Sequence, residues 1–134
     1  MGSLKMKSVR DTFALELGPP EGKSGDGWFQ VRLTGPVVAS VKAYDNHYGS
    51  LTSFFADLAT HWNRPVESLS WGSLESHVVL DAKFDRLGHI YLKVTLRDVD
   101  APAAWRVETT LVVEAGQLEE IAKIASAVFG TAAV

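Results

Sequence analysis

Two alternating segments joined by a turn, between residues 74 and 97, constrain this chain more than anything else in it. Leu74, Ser76, Val78, Leu80, Ala82 and Phe84 fall on one face of an extended strand, and Glu75, His77, Val79, Asp81, Lys83 and Asp85 on the other. Ile90, Leu92, Val94 and Leu96 then resume the apolar face. A period of two is the signature of a strand that buries one side. The connecting Asp85-Arg86-Leu87-Gly88 has Asp at the first turn position and Gly at the fourth, the preference of a type I turn closed by a glycine bulge. That turn sets residue 85 opposite 89, and therefore 84 opposite 90, 82 opposite 92, 80 opposite 94 and 78 opposite 96. All four of the latter pairs are apolar. A slip of one residue would turn the apolar set outward, so turn chemistry and hydrophobic pattern specify the same register.

The rest of the chain follows the same grammar. Phe13, Leu15 and Leu17 alternate within a strand over residues 9–17. Residues 18–27, with two prolines and four glycines, read as a loop. Strands over 28–34 and 37–44 flank Gly35-Pro36 and form a second hairpin. Ser50 is placed to cap a helix whose apolar face is Leu51, Phe54, Phe55, Leu58 and Trp62, at i, i+3, i+4, i+7 and i+11. Pro65 disfavours helical geometry at Arg64 and ends it. A last strand carries Trp105, Val107, Thr109, Leu111 and Val113, after a loop with Asp98, Asp100 and Pro102. A second helix, from about Gln117 to Phe129, presents Leu118, Ile121, Ala122, Ala125, Val128 and Phe129. Glu119 and Glu120 are expected in its first turn, and Gly130 just past its end.

These elements predict an α+β domain with the order βββ-α-βββ-α: a mostly antiparallel sheet of about six strands with two helices on one face. Residues 9–130 form the expected single domain. Residues 1–8 are set aside as a disordered or non-native N-terminus.

Composition narrows the function. The formal net charge is −3, with no run of five like charges, which lacks the basic footprint of a nucleic-acid binder. There is no cysteine, which excludes thiol catalysis and Cys-ligated zinc and fits a cytoplasmic location. No apolar run is long enough to span a membrane. His47, His61, His77 and His89 show no metal-ligand spacing, and Ser24-Gly25-Asp26-Gly27 lacks the lysine and serine of a phosphate loop. No cofactor is expected. Trp28, Trp62, Trp71 and Trp105 are expected in or against the core.

The hairpin register makes one column worth testing. Its outer face sets Asp85 beside His89, Lys83 beside Tyr91, Asp81 beside Lys93 and His77 beside Arg97. An Asp beside a His is the geometry of general-base chemistry. Opposite charges across an antiparallel pair also simply stabilise it, by a few tenths of a kcal/mol to ~1 kcal/mol. No serine or threonine stands as a nucleophile next to His89. Asp85, His89, Tyr91, Lys93 and Arg97 are therefore read as a candidate partner-binding patch, with no catalytic and no metal-ligating residue assigned.

Phe54-Phe55-Ala56-Asp57-Leu58-Ala59, Trp62, Trp71 with Ser73-Leu74-Glu75, Asp85, Gly88-His89, Leu92, Val94, Leu96-Arg97, Trp105 and Ala115–Ala122 resemble a small actinobacterial domain family of unknown function. More distantly, the layout with Gly88-His89 in the turn resembles WapI-type immunity proteins. That likeness implies a protein that binds and neutralises a toxin domain. The chain departs from it at Trp71, Trp105 and the long Gly/Pro loop before residue 28. The reading is a non-catalytic protein-binding domain, with a small-ligand binder, its cavity between helices and sheet, as the alternative. A homodimer through an exposed sheet edge is compatible with the sequence.

Overall fold

The computed structural model describes residues 2–21, 27–45, 48–63, 68–98 and 104–130. Its strands are β1 (Leu4–Lys7), β2 (Ala14–Pro20), β3 (Gly27–Thr34), β4 (Ala39–Asp45), β5 (Leu69–Gly72), β6 (Val78–Phe84), β7 (His89–Asp98) and β8 (Trp105–Glu114). Helix α1 (Tyr48–His61) follows β4, and α2 (Ala115–Phe129) follows β8. The class is α+β with antiparallel pairing, but the expected single six-stranded sheet is two four-stranded sheets, β1-β2-β3-β4 and β5-β6-β7-β8.

The β6–β7 register is the one that turn chemistry dictates: Val78 faces Leu96, Leu80 faces Val94, Ala82 faces Leu92 and Phe84 faces Ile90. Gly88 has φ 85°, the left-handed conformation that a glycine bulge requires. The β3–β4 hairpin also pairs as expected.

Several boundaries move, each for a physical reason. Residues 4–7, within the N-terminus expected to be disordered, alternate Leu-Lys-Met-Lys and pair with β2, so that Leu4 and Met6 are buried. The strand expected over residues 9–17 begins only at Ala14 and runs on to Pro20, into the expected loop. The strand expected from Leu74 begins at Val78, because Glu75 and Ser76 adopt left-handed φ of 66° and 58° and turn the chain back from β5. Leu74 is consequently half exposed rather than core. Ser50 is not an N-cap, since α1 has already begun at Tyr48; its hydroxyl donates to Asp45 and accepts from Trp71 Nε1. Glu119 and Glu120 are not in the first turn of α2, which starts at Ala115, where the Glu114 amide donates to the Gln117 side chain. The glycine-rich stretch 24–26, Pro65, Asp100 and Pro102 lie outside the described residues.

One core serves both sheets and both helices. Leu15, Leu17, Val31 and Leu33 of the first sheet, Leu80, Leu92, Val94 and Leu96 of the second, and Leu51, Phe55, Leu118 and Phe129 of the helices belong to it. Each such side chain fully buried contributes about 1.5–3 kcal/mol relative to exposure. Phe29 is the hub, with the rings of Tyr48, Trp71 and Phe129 within 5.4–6.3 Å. Trp62 and Trp105 pack partly buried against this core, as expected, whereas Trp28 is 44% exposed. The sheets are joined at both edges: the Leu74 amide donates to the Tyr44 carbonyl, and the Val9 amide to the Val112 carbonyl. Each sheet therefore has one face in the core and one facing outward.

Candidate functional site

The outer face of the second sheet carries all five side chains singled out from the sequence, and the structure divides them. Asp85, His89 and Tyr91 come together at the β6–β7 turn. Asp85 Oδ1 accepts from the amides of Leu87 and His89 at 2.8 and 2.9 Å, and Oδ2 from His89 Nδ1 and the Tyr91 hydroxyl at 2.9 and 3.1 Å. Four donors on one carboxylate favour its ionised form, and the His89 amide leads in lowering the Asp85 pKa from 3.8 to about 2. Asp85 is thus the anchor of the turn. The groove beside His89 is lined by Trp62, Leu87, Gly88, Glu114, Ala115 and Gly116, none of which offers a hydroxyl or thiol nucleophile.

Arg97 lies at the other end of β7, where its Nε donates to the Ser76 carbonyl at 2.8 Å and fastens the left-handed turn. Lys93 occupies the middle of the face, between two grooves of about 370 and 190 Å³ that share Asp81 and Lys93. Around it the charges answer one another. Arg106 pairs with Glu108 at 2.7 Å, Ser70 donates to Asp81, and the guanidinium of Arg10 lies over the Tyr91 ring at 5.6 Å. Glu108 is held below its ordinary pKa, first by the Arg106 hydrogen bond and then by the charge of Lys93.

The outer face of the first sheet was not singled out from the sequence. Lys5, Glu16, Arg32 and Ser40 form one row across its four strands, and Lys7, Ala14 and Thr34 the next. Lys5, Lys7 and Arg32 are exposed and, among the described residues, make no ion pair or hydrogen bond. They border a groove of about 240 Å³. Farther along β3, Trp28 stacks edge-on against Tyr44 at 5.4 Å, and Tyr44 pairs in turn with Leu74. Alternation within Leu4–Lys7 was the available signal, discarded with the N-terminus.

Among the described residues, no group of three or more His, Asp or Glu side chains could hold a metal ion. His47 lies outside them, His77 is buried rather than on the outer face expected from the sequence, and His61 ends α1.

Fold and faces together define a small α+β domain of two antiparallel sheets and two helices around one core. The model of a family of unknown function (DUF6228) matches residues 19–132, and the chain belongs to that family. No curated protein and no solved structure matches it. No helix among the described residues is long and apolar enough to cross a membrane.

Proposed function

We propose that this chain is a non-catalytic binding protein of immunity or inhibitor type, which acts in the bacterial cytoplasm by covering a partner protein such as a toxin domain. The observation that carries the reading is the use of the two sheets. Their inner faces share the core, and their outer faces are left open, with grooves bordered by charged and hydroxyl side chains such as Lys5, Arg32, Thr34, Asp81, Lys83 and Lys93. The lack of a hydroxyl or thiol in the His89 groove weighs against His89 activating a side-chain nucleophile there. The distant sequence resemblance to WapI-type immunity proteins, in element order and the Gly88-His89 turn, points the same way. The small-ligand alternative has less support, because the rings of Phe29, Tyr48 and Phe129 pack against one another where β3 meets the two helices.

The test is capture by tagged protein from lysate of the source organism, supplemented with folded products of neighbouring genes, followed by remixing of the purified pair on a sizing column. A stoichiometric complex is the expected result. If folded bait and folded neighbours yield no complex, the reading is wrong.

A further inference from the structure

We infer that the docking surface is the outer face of the first sheet, and that it takes an acidic protein segment carrying an apolar side chain about four residues from its acidic group. This rests on the protein-binding reading above and assigns its face and the chemistry of its partner.

The argument begins with charge. The chain as a whole is negative, at −3, yet one face gathers Lys5, Lys7 and Arg32 around a single carboxylate, Glu16, whose Oε2 already accepts from the Ser3 hydroxyl at 2.5 Å. Residues directly opposite across antiparallel strands project to the same side, so the row Lys5–Glu16–Arg32 places two cations astride that acid, with Lys7 one row on. Lys5 and Arg32 each stand directly across from Glu16, and opposite charges so placed stabilise a sheet modestly. One carboxylate still leaves the three cations in excess, and an anionic partner would match that excess. Lys42, the fourth cation of this face, differs in being matched to Glu21 at 3.0 Å.

The second component is apolar. Trp28 and Leu74 are 44% and 50% exposed, and they flank Tyr44 in one row of the same outward side. Large aromatics at solvent-facing positions are the commonest anchors of protein interfaces. Arg32 and Trp28 are four residues apart on β3, which at about 3.3 Å per residue separates the cationic end from the apolar end by roughly 13 Å. An extended segment with an acid at one position and an apolar side chain four residues on presents both to the same side, at that same distance. Single-stranded nucleic acid is the less suitable occupant. Three cations without a hydrogen bond or ion pair among the described residues fall short of the several phosphate contacts that such binding needs, and the Trp28 and Tyr44 rings meet edge to face rather than lying side by side as a stacking platform.

The probe is a short synthetic peptide with two adjacent glutamates and a leucine about four residues on, titrated into isotope-labelled full-length protein and followed by amide chemical shifts. Shifts at Lys5, Lys7, Glu16 and Arg32 and at the Trp28 indole are expected. Binding should weaken by about tenfold or more in K5Q/K7Q/R32Q, and should vanish when lysines replace the peptide's glutamates. Shifts confined to the second sheet, no shifts at millimolar peptide, equal binding by the triple variant, or tighter binding of oligodeoxythymidine at this face would each overturn the assignment. The capture experiment keeps the two claims apart. A protein partner retained by K5Q/K7Q/R32Q leaves the protein-binding reading standing and sinks the choice of face, whereas no partner for either protein sinks the reading itself.

Discussion

The two outer sheet faces are built from similar residues and use them differently. On the second sheet, Asp85 bonds to two amides, His89 and Tyr91, Arg97 to the Ser76 carbonyl and Arg106 to Glu108, while Lys83 and Lys93 make no hydrogen bond or ion pair among the described residues. On the first sheet, three of four cations make no hydrogen bond or ion pair within the described residues, although Lys5 and Arg32 stand across from Glu16. The difference teaches that a charged column on a strand has two meanings, and that only the hydrogen-bond partners separate them. Groups committed to the fold should carry stability, and groups left unmatched should carry binding.

The largest effect that could break this comparison is on stability at Arg97. Removing the guanidinium in Arg97→Ala leaves the Ser76 carbonyl without its charged donor beside two left-handed residues. A loss of about 2 kcal/mol is expected, within the range for hydrogen bonds to charged groups. Urea denaturation would measure it. A loss no greater than that of Lys5→Ala would show that the two faces are not different in kind. Asp85→Ala should likewise lower the melting temperature by several degrees, since it deprives two amides of their acceptor.

Acid provides a second handle on the same group. The Asp85 pKa in the fold, about 2, lies below its ordinary 3.8, so its contribution is fully present above pH 4. It should be lost as pH falls from about 4 towards about 2. In Asp85→Asn that part of the acid-induced loss should disappear. Melting temperatures across this window would test it, and wild-type and variant curves that stay parallel would contradict the assigned role.

How far the sequence reached can be read from these same residues. The β6–β7 register was legible because turn chemistry and hydrophobic period are both local and both pointed to it. The division into two sheets was not, because alternation shows that a segment is a strand but not which strand lies beside it. The five side chains of the second face were placed correctly on one surface, yet Asp85 and Arg97 turned out to serve the fold. Arg97 finds its partner in a backbone carbonyl 21 residues away, created by a left-handed turn that no residue type at Glu75 or Ser76 announces. The first face was missed at its source, since two of its cations, Lys5 and Lys7, sit in residues 4–7.

A smaller effect concerns Arg106 and Glu108, whose side chains are well exposed although only 2.7 Å apart. Exposed pairs contribute little and are screened by salt. Arg106→Gln should therefore lower stability slightly at low ionic strength, with the difference fading near ~1 M salt, where the Debye length is about 3 Å. A salt-independent difference would mean that Arg106 acts through packing rather than charge.

The smallest expected effect separates the two faces most sharply. K5Q/K7Q/R32Q removes three charges and no hydrogen bond or ion pair formed among the described residues. Its stability should match wild type to within about 0.5 kcal/mol, the usual range for surface changes away from special features. Any deviation should be a small loss, because Lys5 and Arg32 stand directly across from Glu16 and the substitutions remove both opposite-charge pairs. A neutral result in urea together with lost affinity for the acidic peptide is what binding groups produce. A substantial loss of stability would instead show that these cations are bonded in solution and belong to the fold, as Arg97 of the second sheet does.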